Sequence, residues 1–449
     1  MIASCLPGQR DLLALAALHP QRYPLLLESA AAAGPQGRYD LLLYHQGDYL
    51  RLDGDGQLYN QEGRLAGTDF LTELDRLWAA SADPGLQSSL PFIGGWGLYF
   101  SYEMIGHIEP CLQLPVADDV PLALALRCPA AIVVDHQADQ TWLIAEEGQA
   151  QLLDIMTEDL QAACMAPVSP CTEVPQLLED DARRFLDGVA AVHEHLAAGD
   201  VFQVNLSRGW RAEYATAPEP AAVYAGLRQA NPAPFAALLQ QSGWSCLSSS
   251  PERLVEVRGR TAQTRPIAGT RPRMADPAED RAQVEALVGH PKERAEHVML
   301  IDLERNDLGR VCAPGSVRVD ELMVIESYAH VHHIVSNVRG ELRDGVTPGE
   351  VISAVFPGGT ITGCPKIRCM EIISALEAAP RGAYTGALGY LDRRGDMDTN
   401  ILIRTVTLVG RQARLRAGAG IVVDSVATHE LDESRHKARG VLRGLGMQA

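Results

Sequence analysis

Two glycine-rich segments are places where the backbone itself could do chemistry: FPGGTITGCPK (Phe356–Lys366) and RAGAGIVVDS (Arg416–Ser425). Neither is a GxxxxGK[ST] phosphate loop, nor a GxGxxG that opens a helix. Glycine would let N–H groups approach an anion such as a carboxylate closely; tight turns in a sheet are the alternative. Near the C-terminus Glu430, Glu433 and Lys437 stand at i, i+3 and i+7, on one helix face, opposite the apolar Val441, Leu442 and Leu445. Glu296 lies on a second helical stretch. Two such glutamates, if they converge, could hold one Mg²⁺, which takes few protein carboxylates and leaves positions for substrate and water. The alternative is a solvated face with a Glu433–Lys437 ion pair.

The run AHVHHIVS alternates like a strand, so His333 faces away from His330 and His332. With no cysteine or HExxH nearby, zinc is not expected; one histidine acting as acid or base, or buried in the core, is. SSSPER presents Glu252 in a serine-rich turn, and PIAGTRPR (Pro266–Arg273) follows. No GxSxG elbow is present, so nothing points to a serine or cysteine hydrolase.

The elements that must position these groups mix strands and helices without regular βαβ alternation. Helical spacing covers 11–18, Gln151–Cys164, Asp181–Ala198 (stopped by Gly199), Pro291–Arg310, Pro365–Leu376 and Asp432–Leu445. Strand patterns fall around Tyr39–His45, Ala130–Val134, Thr141–Ala145, Val201–Ser207, GALGYLD and NILIRTVTLV, and the Gly-rich, aromatic Pro91–Met104 suits a close-packed strand and turn. The expected class is α+β with large antiparallel sheets. The proline-rich Ala166–Pro175 divides the chain into an N-terminal region, 1–170, and a C-terminal region, 175–449.

The 449 residues are 46% apolar and 21% charged, the balance of a folded globular protein rather than a disordered one. No apolar run reaches the roughly 18 residues of a membrane span. The first twenty residues make a poor signal peptide, and nine cysteines without a CxxC pair suggest reduced thiols in a cytoplasmic enzyme. A net charge of −18 repels nucleic acid and anionic membranes, so neither is an expected partner. An anionic substrate would need cations supplied by its own site.

Taken together, DVFQVNLSR (Asp200–Arg208), SSPER, PIAGTRPR, ERAEHVMLIDLERNDLGRV, YAHVHHIVS, FPGGTITGCPKIRCMEII, GALGYLDRRGDMDTNILIRT, AGAGIVVDS and DESRHKA closely resemble the chorismate-utilising enzymes. The N-terminal LLLESA and GGWGLYFSYE fit as well. The resemblance implies one fold of two large packed antiparallel β-sheets flanked by helices, both halves contributing strands. It implies Mg²⁺ held by Glu296 and Glu433 with Glu430 in support, against the ring carboxylate of chorismate. Arg404, Tyr384 and the backbone of Gly418, Ala419 and Gly420 would clamp the enolpyruvyl carboxylate, with Lys437 adding positive charge and Thr270 and Gly363 also lining the substrate site. Glu252 would be the general acid that protonates the leaving 4-hydroxyl, and His333 a proton acceptor or orienter beside the ring.

Water-adding members of the family have a lysine base in the strand that here reads VFQVNLS. Gln203 takes that place and cannot accept a proton, which favours the amine-adding members. Ala268, in PIAGT, occupies the position of the lysine in the PIKGT enzymes that make 4-amino-4-deoxychorismate on the way to para-aminobenzoate and folate. Anthranilate-forming members share PIAGT, but the compact length and FPGGTITGCPKIRCMEII favour the former product; anthranilate is the alternative. A non-catalytic protein that binds tryptophan or chorismate is a remoter one. GxCxG with a downstream HPE is absent, so ammonia would come from a separate glutamine amidotransferase. LLLESA, with Ser29, and NPAPF, with Asn231, Pro232 and Phe235, resemble the family's tryptophan pocket; the plain alternative is a helix end and a turn.

Overall fold

The computed structural model describes residues 1–29, 37–65, 69–163, 167–289, 291–328 and 331–447. Two antiparallel sheets of twelve strands each form its centre. The first runs from Ile2–Pro7 through Gln140–Ala145, Ala130–Asp135, Tyr39–Tyr44, Leu25–Glu28, Phe235–Gln241, Trp244–Ser250, Thr405–Val409 and Gln412–Ile421 to Gln203–Glu213 and Gln176–Glu179. The second centres on Arg253–Arg258, Met397–Ile401, Ala387–Asp392, Gly95–Phe100 and Ala123–Cys128, and carries Ile267–Pro272 and Val331–Glu341 at one end. Both sheets draw strands from either side of 167–175, as the family resemblance implied.

The apolar runs follow from this layering. YDLLLY and AAIVVD bury successive residues because one face meets helices and the other meets the second sheet. Leu25, Leu43, Tyr99, Leu126 and Leu388 belong to the core between the sheets, while Leu13, Leu15, Val441 and Leu442 belong to the core under the outer helices. The glycines of GGWGLYF make the approach of the sheets possible: a Cβ on Gly97 would lie 2.8 Å from Leu25 Cδ2.

Most expected elements are present, including Ala182–Ala198, capped by the Asp181 carboxylate and ended by Gly199 at φ +77°. Three differ. NILIRTVTLV is two strands, Met397–Ile401 in the second sheet and Thr405–Val409 in the first, with Arg404 at φ +53° where the chain crosses between them. The C-terminal helix starts earlier than its charge pattern indicated, at Ala427. LLLE is a strand, Leu25–Glu28, not a helix end. Cys164, Ala166 and His330 lie outside the described residues. Among the described residues no helix is long and apolar enough to cross a membrane.

Candidate active site

Glu252 closes the turn between Trp244–Ser250 and Arg253–Arg258, where the chain passes from the first sheet to the second. It is 5% exposed, and its Oε1 has no hydrogen-bond partner among the described residues. Burial pushes its carboxyl up to about 7, opposed by the neighbouring Thr360 side chain, the Ile267 N–H and the positive charges of Lys437 and Arg404. A carboxyl in that range holds a proton at neutral pH and can still release it, the requirement for a general acid. The Ile267 N–H also places the adjoining Ala268 beside the acid.

The cations that the net charge demanded lie around it. Arg404 makes no side-chain hydrogen bond or ion pair among the described residues, and burial lowers its pKa. A half-buried guanidinium with its donors unspent is ready for a carboxylate ligand. Its left-handed backbone, uncommon for a side-chain-bearing residue, is held by flanking strands in different sheets. Lys437 Nζ donates to Gly418 O at 3.1 Å and pairs with Glu433 Oε1 at 2.7 Å, tying the last helix to the Gln412–Ile421 strand.

Glycine shapes the floor. A Cβ on Gly363, at φ +134°, would sit 2.1 Å from Gln203 O, and one on Gly420 would sit 2.8 Å from Gln203 Nε2. Gln203 is thus seated between the two glycine-rich segments, and its carbonyl also accepts from Cys369 Sγ at 3.0 Å. Ala419 is fully buried between them and the helices.

His333 is 2% exposed, with Nδ1 2.9 Å from Thr270 Oγ1. Burial, helped by the charge of Arg404, brings its pKa down to about 4, so the ring is neutral at pH 7. As its strand position predicted, His332 turns elsewhere, to Ser327 Oγ at 2.7 Å and Asp280 Oδ1 at 2.9 Å. Tyr384 is buried, its ring under the Arg381 guanidinium, which is ion-paired with Glu377 at 2.7 Å.

Glu296 projects from the helix Pro291–Gly309, packed against Ile267–Pro272 and Val331–Glu341, and Glu430 and Glu433 from the last helix. Among the described residues no three His, Cys, Asp or Glu side chains are gathered to hold a metal. The candidate donors are carboxylate oxygens alone, a set that suits Mg²⁺, which takes one or two carboxylates and keeps much of its water.

Sequence reading missed the groups beneath Glu252: Glu304 (4% exposed), Asp307 (3%) and Lys366, whose Nζ is 2.5 Å from Asp307 Oδ2. The signal was available, since Glu304 and Asp307 stand three apart on a helix face shared with the buried Ile301 and Leu308.

A separate cavity of about 350 Å³ opens between the sheets, lined by Ser29 and Phe235 together with Pro234, Arg253, Tyr390 and Asn400. Asn231 and Pro232 do not line it. Asn231 instead ends the helix Pro220–Ala230 and donates from Nδ2 to Ser249 Oγ at 3.0 Å. Arg253 stacks over the Phe235 ring at 5.0 Å and pairs with Asp398 at 2.9 Å.

The fold belongs to a known class: residues 29–443 match the chorismate binding enzymes, and the chain belongs to that family. It is 43% identical over 365 residues to the aminodeoxychorismate synthase component 1 of Bacillus subtilis (strain 168), covering 79% of this chain and 77% of that one. It is 42% identical over 359 residues to an anthranilate synthase component I-like protein of Synechocystis sp. (strain ATCC 27184 / PCC 6803 / Kazusa), covering 79% and 73%. The crystal structure of anthranilate synthase component I from Streptococcus pneumoniae TIGR4 superposes with a TM-score of 0.80 at 30% identity, covering 91% of this chain and 93% of that one.

Proposed function

We propose that the protein converts chorismate and ammonia to 4-amino-4-deoxychorismate. The observation that carries the reading is the buried Glu252, a carboxyl near 7 set beside the cations Arg404 and Lys437. Arg404, with Tyr384 and the Gly418–Gly420 backbone, binds the enolpyruvyl carboxylate. Ammonia forms a bond at ring carbon 2 as the bond from carbon 4 to its hydroxyl breaks, and the Glu252 proton lets that oxygen leave as water. Because Ala268 offers no amine, a second ammonia attacks carbon 4 directly and the carbon-2 amine departs, so that one ammonia is consumed and one water released. The neutral His333 accepts or orients a proton beside the ring.

Glu296 and Glu433, with Glu430 in support, are the residues that would hold Mg²⁺. The ion would supply charge neutralisation at the ring carboxylate. Ammonia is supplied by a glutamine amidotransferase subunit, a reading supported by the component 1 name of the Bacillus relative. The cavity beside Ser29 and Phe235 suits tryptophan, with an aromatic wall and paired charges for its zwitterion. The chain works in the cytoplasm, in the branch leading to para-aminobenzoate and folate.

Ala268 also favours a second reading, anthranilate formation with loss of pyruvate. Incubation with chorismate, Mg²⁺ and an ammonium salt separates the two. A non-fluorescent aminodeoxychorismate, identified by mass, supports the proposal; fluorescent anthranilate plus pyruvate overturns it.

A further inference from the structure

Where Arg404 keeps its donors open, Arg381 has every one engaged. Its side chain is 1% exposed, and acceptors meet all five guanidinium N–H groups. Nε donates to Glu377 Oε2 at 3.0 Å, and Nη2 to Glu377 Oε1 and Asn205 O, each at 2.7 Å. Nη1 donates to Ile361 O and Thr385 Oγ1, each at 3.3 Å. The backbone is held as well, for the Glu103 carboxylate accepts from Arg381 N at 2.6 Å and from Gly382 N at 3.0 Å. A guanidinium so saturated has no donor left for a substrate carboxylate, so any influence on substrate runs through its neighbours.

Those neighbours are the walls of the site. Asn205 lies on the strand Gln203–Glu213, Ile361 in the 3₁₀ turn Gly359–Ile361, and Glu377 at the end of the helix Lys366–Glu377. Glu377 also accepts from Ser207 N and from Arg416 Nη2, each at 2.8 Å, which ties in the strand that carries Gly418–Gly420. The rings of Tyr102 and Tyr384 stack on the Arg381 guanidinium at 4.8 and 5.5 Å.

Thr385 is the strained member. It is β-branched, yet sits at φ +65°, a region such residues rarely enter unless their surroundings enforce it. Its Oγ1, which accepts from Arg381, donates to Tyr384 O at 2.5 Å. Its N–H donates to Leu402 O at 2.8 Å, and Leu402 N returns a bond to Gly386 O at 2.8 Å. Tyr384 and Arg404 are thus carried on two segments bonded to each other. We propose that Arg381 is a positioning residue for the carboxylate clamp. Through Thr385 it fixes the turn that carries Tyr384 and the crossover that carries Arg404, and so sets substrate affinity without touching substrate.

This inference rests on Arg404 as the carboxylate ligand, so its test includes a binding arm free of turnover. Chorismate binding is measured by calorimetry with Mg²⁺ and without ammonia, and KM and kcat by chorismate consumption with an ammonium salt, whichever product forms. Thr385→Val removes the hydroxyl link, keeps the side-chain shape and leaves the Arg381–Glu377 pair whole. Kd and KM should rise about three- to ten-fold with kcat within about two-fold, the loss of one positioning hydrogen bond. Thr385→Ser, which restores the hydroxyl, should recover both constants. Arg381→Lys keeps the charge facing Glu377 but has too few donors for every acceptor, and should weaken binding at least as far. A fall in Tm or kcat with Kd and KM unmoved in both variants would mean simple bracing and overturn the proposal. Combined with Arg404→Lys, Thr385→Val should cost less than its separate factor, because both act on one clamp; full multiplication of the two factors overturns the link. A wild-type Kd in Arg404→Lys would overturn the clamp itself and, with it, the role given to Arg381. A weakened Arg404→Lys beside an unchanged Thr385→Val overturns this inference alone.

Discussion

Thr270 Oγ1 lies 2.9 Å from His333 Nδ1, across a strand pair whose register breaks at Gly269. The bulge re-aims the threonine side chain toward the imidazole, and the contact fixes the orientation of a ring that burial keeps uncharged. Thr270→Val should keep the fold and lower kcat/KM about five-fold, the loss of one hydrogen bond worth ~1 kcal/mol. Unchanged kcat/KM in steady-state kinetics would remove Thr270 from the site.

Glu252→Gln should reduce kcat by roughly 10²–10⁴, the usual worth of a general acid. Its effect on stability has the opposite sign. A carboxyl raised from 4.5 to about 7 binds its proton more tightly in the folded than in the unfolded chain, so wild-type stability falls as pH rises from about 4.5 to about 7 and changes no further above that. Relative to wild type, Glu252→Gln should therefore gain stability across that window, by about 3 kcal/mol at most. Thermal melts at pH 5 and pH 8 measure it, and an equal difference in Tm at both would contradict the raised pKa.

Arg404→Lys should raise KM for chorismate about 10–100-fold with little change in Tm, because lysine keeps the charge and loses the bidentate fork. An unaltered KM would place the carboxylate clamp elsewhere.

Removal of divalent cations with EDTA should abolish turnover, and added Mg²⁺ should restore it. Glu433→Gln should resist that restoration while keeping the helix, since its partner Lys437 still donates to Gly418 O. Full activity in EDTA would dismiss the metal assignment.

Gly363→Ala should lower stability by more than ~2 kcal/mol, since the new methyl would meet Gln203 O at 2.1 Å in a left-handed backbone. A Tm within a degree of wild type would show that this floor yields.

Much of the fold was legible because helices such as Ala182–Ala198 carry their own stop and start signals, and strands such as Ala130–Asp135 carry unbroken apolar runs. The break at Arg404 was not, because NILIRTVTLV is uniformly β-prone and only tertiary pairing decides that its ends enter different sheets. In the site, His333 was separable from His332 by strand alternation alone. Glu304 was passed over because an acid in a helix is ordinarily solvated, and its burial depends on a turn more than fifty residues away. The cavity wall at Arg253 and Asn400 was hidden for the same reason, since it assembles from distant strands.

The strand order also sets a timetable for synthesis. Leu25–Glu28 pairs with Phe235–Gln241, Gly95–Phe100 with Ala387–Asp392, and Gln203–Glu213 with Gln412–Ile421. Early strands therefore wait on the ribosome for partners translated hundreds of residues later, with edges bare in the interval. The second sheet is complete only when Met397–Ile401 has emerged and the first only when Gln412–Ile421 has, so a nascent chain of this protein carries unpaired strand edges through most of its translation.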